Sequence, residues 1–179
     1  MTSQQPDNVD YNGGRYELVG VRGSRLFDPE ELGLELRPLS TACWRGFTCS
    51  YAVVDNRLIL TNLALSIDNP PDELLGAPVT TNGYGAQCAP NRALIEFTGG
   101  LLIGDDLDGE YYIHLGFQPA WTYRTVHELD FVHGQLVHAR DLSAEAARQR
   151  AAGKRVGPGE GSDPIAWIAR NTNRLRGWD

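Results

Sequence analysis

Five side chains have the types and spacing for ligand chemistry: Trp44, Arg45, Tyr112, His114 and Arg124. Tyr112 and His114 are two positions apart, so on an extended strand they project from one face. Arg124 falls on the strand expected to follow, and Glu96 and Asp130 sit within neighbouring strands. An imidazole, a carboxylate and a guanidinium together have the parts for acid–base work on an anionic substrate. The same residues are also what the wet face of an antiparallel sheet carries with no site at all.

Trp44 and Arg45 belong to the segment Cys43-Trp44-Arg45-Gly46-Phe47. An indole beside a guanidinium suits the wall of a pocket, where the two stack or fork onto a ligand. A strand bulged at Gly46, with its aromatics in the core, accounts for it equally well.

A second group of residues points to a protein partner. In the last segment Ile165, Ile168, Ala169, Thr172 and Leu175 form one apolar helical stripe. Trp167, Arg174 and Trp178 lie close to a line on another face, and Trp and Arg are the types most enriched at binding hot spots.

Metal and cofactor chemistry find little support. His114, His127, His133 and His138 show no ligand spacing, and Cys43 and Cys49 are too far apart for a zinc pair. The acidic stretch Asp105–Glu110 fails as a calcium loop, because its first and last ligand positions lack carboxylates. Nucleophile-elbow, zincin, dinucleotide and phosphate-loop motifs do not occur. The expectation is no metal and no cofactor.

The elements that would position these groups are mostly strands. Three stretches read as hairpins with a two-residue turn: Tyr51–Leu60 around Asp55-Asn56, Ile95–Gly104 around Gly99-Gly100, and Leu129–His138 around His133-Gly134. Their registers agree, pairing Val53 with Leu58, Phe97 with Leu102 and Phe131 with Leu136. In the third hairpin His127 falls opposite Arg140, and His138 opposite Leu129. Tyr16–Val21, Tyr111–Phe117 and Trp121–Val132 read as further strands. Asp28, Pro29 and Gly33 punctuate one short helical turn, which Asp72–Gly76 echoes. Ser143 opens a helix that Gly153 closes, and Asp163-Pro164 opens another.

The fold expected is α+β and mainly β: an antiparallel sheet, as a sandwich or partly open barrel, built from repeated hairpins and followed by two C-terminal helices. Residues 1–14 read as a loose N-terminal arm and 15–179 as one globular domain, with 141–179 its helical part.

Charge then narrows the function. Residues 140–179 carry eight basic and five acidic side chains, so of the net −7 the rest of the chain holds −10. An acidic body repels phosphate backbones, which disfavours nucleic acid. No apolar run approaches the roughly 20 residues that cross a bilayer. Three cysteines without a disulfide framework, and a polar N-terminus, suggest a cytoplasmic protein. The leading expectation is a non-catalytic protein-binding domain that takes a protein partner or forms a homo-oligomer. An adaptor, or an immunity protein that neutralises a basic toxin, would suit the acidic body. The alternative is a small-molecule-binding domain or enzyme, with Trp44, Arg45, Tyr112, His114 and Arg124 gathered in a pocket on the sheet.

Overall fold

Turn chemistry organises the chain. In the computed structural model, which describes residues 2–83 and 85–153, strands β1 (Asn8–Tyr11) and β2 (Gly14–Gly23) meet at Asn12-Gly13. Strands β3 (Phe47–Val54) and β4 (Arg57–Leu65) meet at Asp55-Asn56. In both turns the two central residues have positive φ, the combination that matches the twist of the flanking strands. The expected pairing of Val53 with Leu58 is present. The short turn at Pro29–Leu32 is capped by Asp28, whose carboxylate accepts from Glu30 N at 3.0 Å, and ends at Gly33 with φ 75°.

Strands β5 (Glu73–Leu74), β6 (Ala77–Asn82), β7 (Gly85–Cys88) and β8 (Ala93–Leu94) follow. After them come β9 (Gly99–Leu107), β10 (Tyr123–Val132), β11 (Gln135–Asp141) and a single helix among the described residues, α1 (Ser143–Ala151). The sheet order runs β11-β10-β9-β2-β1-β3-β4-β7-β6-β5, with β8 on β4. Gln135 of β11 also pairs with Arg57 of β4, so the central strands close on themselves in a ring. The pairing of β1 with β3 is parallel, which makes the sheet mixed rather than purely antiparallel.

Inside the ring lie Val9, Tyr51, Leu58, Leu60, Leu101, Ile103, Leu129 and the edge-to-face pair Phe97 and Phe131. A smaller cluster of Val19, Leu102, Tyr123 and Val126 lies under Ala146 of α1. Strand β9 is therefore covered on both faces, which explains its unbroken Leu101-Leu102-Ile103 run. Helix α1 is tied down at its start: Ser143 N donates to Asp141 Oδ1 at 2.8 Å, and Val126 N donates to Ser143 Oγ at 3.1 Å.

Several expectations need correction. The segment read as a loose arm contributes β1, flanked by strands on both sides, with Val9 fully buried. Ile95–Gly104 is not a hairpin. Gly99 and Gly100 lie within β9, and Gly99 is needed because a Cβ there would fall 1.9 Å from the Arg22 carbonyl oxygen. The repeated hairpin therefore does not build this sheet. At the third turn Phe131 pairs with Leu136 as expected, but a bulge after Asp130 shifts the rest of the ladder by one. His127 then faces Asp141, and His138 faces Asp130.

Tyr111–Phe117 forms no strand; a 3-10 turn at Gly109–Tyr111 leads into an irregular loop. Asp72–Gly76 is not a helical turn but the tip of the β5–β6 hairpin, with Leu75 and Gly76 at positive φ. The expected final helix, with Trp167, Arg174 and Trp178, lies outside the described residues. Among the described residues no helix is long and apolar enough to cross a membrane.

Candidate functional site

A cleft of about 350 Å³ opens between the N-terminal segment, the start of β2 and the loop after Tyr111. Its polar construction begins with Gln118, which is buried. Gln118 Oε1 accepts from Ile113 N at 2.9 Å, while its Nε2 donates to Ile113 O at 2.7 Å and to Ser3 Oγ at 3.0 Å. Gln4 N donates to Gly116 O at 2.7 Å. One amide side chain thus pins the loop to itself and to the N-terminal segment, so both walls are held in place.

The floor depends on a missing side chain. Glu17 of β2 pairs with Gly104 of β9, and β10 runs on the far side of β9. A Cβ at residue 104 would fall 2.6 Å from Cγ of Tyr123. Glycine there lets the Tyr123 ring cross β9, and its hydroxyl donates to Glu17 Oε2. Burial, with the Glu17 carboxylate beside it, pushes the phenol well above its usual range. Tyr123 is therefore a proton donor in hydrogen bonds at neutral pH, not a base. Tyr112 and Phe117 supply two more rings to the lining, and Glu17 is the one ionisable acid or base in it among the described residues apart from the tyrosines.

The outer support of the N-terminal wall is a buried ion pair. Arg45 Nη2 donates to Asp7 Oδ1 at 2.6 Å and to Gln5 O at 3.3 Å, and its guanidinium lies 4.8 Å over the Phe47 ring. Cys49 N donates to the same Asp7 oxygen at 2.7 Å. Asp7 is fully buried; burial raises its pKa to about 6, even though Arg45 and the Cys49 N–H pull it down. Cys49 and Tyr51 lie in the same pocket of charge, and burial pushes both upward, so both stay protonated.

The five ligand candidates are thus dispersed. Tyr112 lines the cleft. His114 stands beside it, ring centroids 4.9 Å apart, and is exposed. Arg45 lies behind the wall, paired with Asp7. Trp44 is 58% exposed, its backbone N–H reaching Gln4 Oε1 at 3.4 Å. Arg124 is engaged by Asp106 at 3.3 Å and Asp108 at 3.2 Å and does not line the cleft. Of the two carboxylates weighed with them, Glu96 is exposed and Asp130 pairs with Arg22 at 2.9 Å.

Sequence reasoning missed Glu17, Gln118 and Tyr123. One signal was present: a lone glycine at 104 after three large apolar residues marks a close approach by another group. Among the described residues no group of three His, Cys, Asp or Glu side chains is placed to hold a metal ion. No family model matches the chain, and no curated protein or solved structure is found to be similar to it.

Proposed function

We propose that the chain is a non-catalytic protein-binding domain whose partner is basic, acting as an adaptor or as an inhibitor that neutralises that partner. The observation that carries this reading is how charge is spent at the surface. Among the described residues every arginine except Arg57, Arg92 and Arg150 is within ion-pair distance of a carboxylate of the same chain. Arg150 is itself committed to the Trp121 and Tyr123 carbonyls. Glu30, Glu35, Asp55, Asp72, Glu73, Glu96, Asp105 and Glu110 are exposed and form no ion pair among these residues. With most of the described arginines neutralised within the chain, the surplus carboxylates among the described residues face solvent, and such a field steers a cationic partner into encounter.

The test is to capture partners with the full chain, purify the pair and follow association against ionic strength. A partner of net positive charge, with an association rate falling steeply as salt rises, is the expected result. A neutral or acidic partner, or a rate indifferent to salt, overturns the reading.

A second reading, a small-molecule site, is favoured by the cleft alone. Its volume of about 350 Å³ is at the lower end of the roughly 300–1,000 Å³ of small-ligand pockets. Tyr123, held protonated by burial, would act there as a hydrogen-bond donor rather than as the base.

A further inference from the structure

We infer that the cleft takes one cationic side chain, a guanidinium, from the basic protein partner; this rests on the reading above and names the place where the partner is anchored. Three features of the cleft converge on that chemistry. Glu17 is a carboxylate with no ion pair among the described residues, and its neighbour Tyr123 is a neutral donor that satisfies one oxygen without cancelling the charge. The Tyr112 ring, which is exposed, lines the same space, and an aromatic face attracts a cation, above all a planar guanidinium. Leu107, also in the lining, belongs to the acidic stretch whose Asp105 and Glu110 are exposed and outside any described ion pair.

Among the described residues an anion has no counter-charge in this lining, and a neutral apolar group would strand the Glu17 carboxylate away from water. The size is compatible, since about 350 Å³ admits one long side chain. The walls are already fixed by Gln118 and by the Asp7–Arg45 pair, so little ordering is lost on binding.

The experiment uses the full chain labelled with nitrogen-15 and two blocked tripeptides, Gly-Arg-Gly and the same peptide with citrulline, which keeps the shape and loses the charge. The arginine peptide should bind saturably and shift the amides of residues 3–6, 17–19 and 112–118. Citrulline should not. Glu17→Gln should weaken the arginine peptide by about tenfold to a hundredfold, the range for a lost charge-assisted hydrogen bond. Tyr112→Ala, which removes an exposed ring stacked edge-to-face on the exposed His114, should weaken it by about fivefold. It keeps the test open should Glu17→Gln misfold.

Equal binding of the two peptides, shifts lying elsewhere, or unchanged affinity in both variants overturns the assignment. Absence of peptide binding, beside a salt-steered complex with a basic protein, removes the cleft assignment alone. Loss of salt-steered partner binding removes the broader reading, whatever the peptides do.

Discussion

Asp7 and Glu17 are neighbours across one strand pair: the Leu18 N–H donates to the Asp7 carbonyl at 2.8 Å, and Glu17 stands opposite Asn8. Their carboxylates nonetheless have different surroundings. Asp7 is sealed from water and takes a guanidinium and a backbone N–H. Glu17 opens onto a cleft and, among the described residues, takes only a neutral phenol. A charge that has left water needs an opposite charge at hand, so Asp7 is committed to the fold. A charge met by a neutral donor at an open surface keeps its field, so Glu17 is available to something else. Proximity in the ladder does not decide function; what compensates each charge does.

The contrast breaks most visibly at Asp7. Asp7→Ala leaves the half-buried Arg45 guanidinium without its partner, and removing one member of a buried pair costs about 3–5 kcal/mol. Glu17→Gln keeps an acceptor for Tyr123 and should change stability by less than about 1 kcal/mol, as surface charges do. Urea unfolding of both variants measures the gap. Equal losses would mean that the two carboxylates play the same structural part.

A smaller effect tests how the cleft is made. Gly104→Ala puts a methyl group within 2.6 Å of the Tyr123 ring, and over-packing of this kind costs about 1–3 kcal/mol. The ring must move, and with it the hydroxyl that reaches Glu17. The variant should therefore lose the tyrosine–carboxylate contact, visible as a shift of the Tyr123 ring resonances. Wild-type stability and an unmoved ring would show that Gly104 does not govern the site.

That glycine also explains what the sequence could reveal. The β3–β4 hairpin and the Asp28–Gly33 turn were readable because each is settled within a few residues, by side chains that tolerate positive φ or cap an N–H. Gly99-Gly100 has the same local signature, yet its glycines serve the contact of β9 with Arg22, a strand distant in sequence. Nothing within Ile95–Gly104 distinguishes the two uses. Strand β1 was unreadable for a related reason: its four residues offer one buried apolar side chain, and flanking strands on both sides hold it. The bulge after Asp130 displaced His127 and His138 from their expected partners without any glycine or proline to announce it.

The cleft was the least legible part, because Glu17 and Tyr123 meet only through the order β2-β9-β10. Arg45 was singled out by type alone, and its partner Asp7 lay in what read as a loose arm. Tyr112 reached the site for a reason other than the one expected, from a loop rather than a strand.

The smallest effect sharpens the comparison through pH. Asp7 has a folded pKa of about 6 against its ordinary 3.8, raised by burial. A raised pKa means that the folded chain holds the proton more tightly than the unfolded one. The stability this group adds is complete below about pH 3.8 and is lost as pH rises through about 6. Acidification from about pH 7 to about pH 5 should therefore stabilise the fold by about 1 kcal/mol through Asp7 alone. Asp141 and Glu145 act in the opposite sense: hydrogen bonds from Ser143 and Arg148 lower their pKa values, so what they contribute is lost as pH falls through those lowered values. Comparing wild type with Asp7→Asn at each pH cancels those terms. The difference should move in favour of the wild type on acidification. A flat wild-type-minus-Asp7→Asn difference would place Asp7 with ordinary solvated carboxylates, and the distinction between the enclosed charge and the open one would disappear.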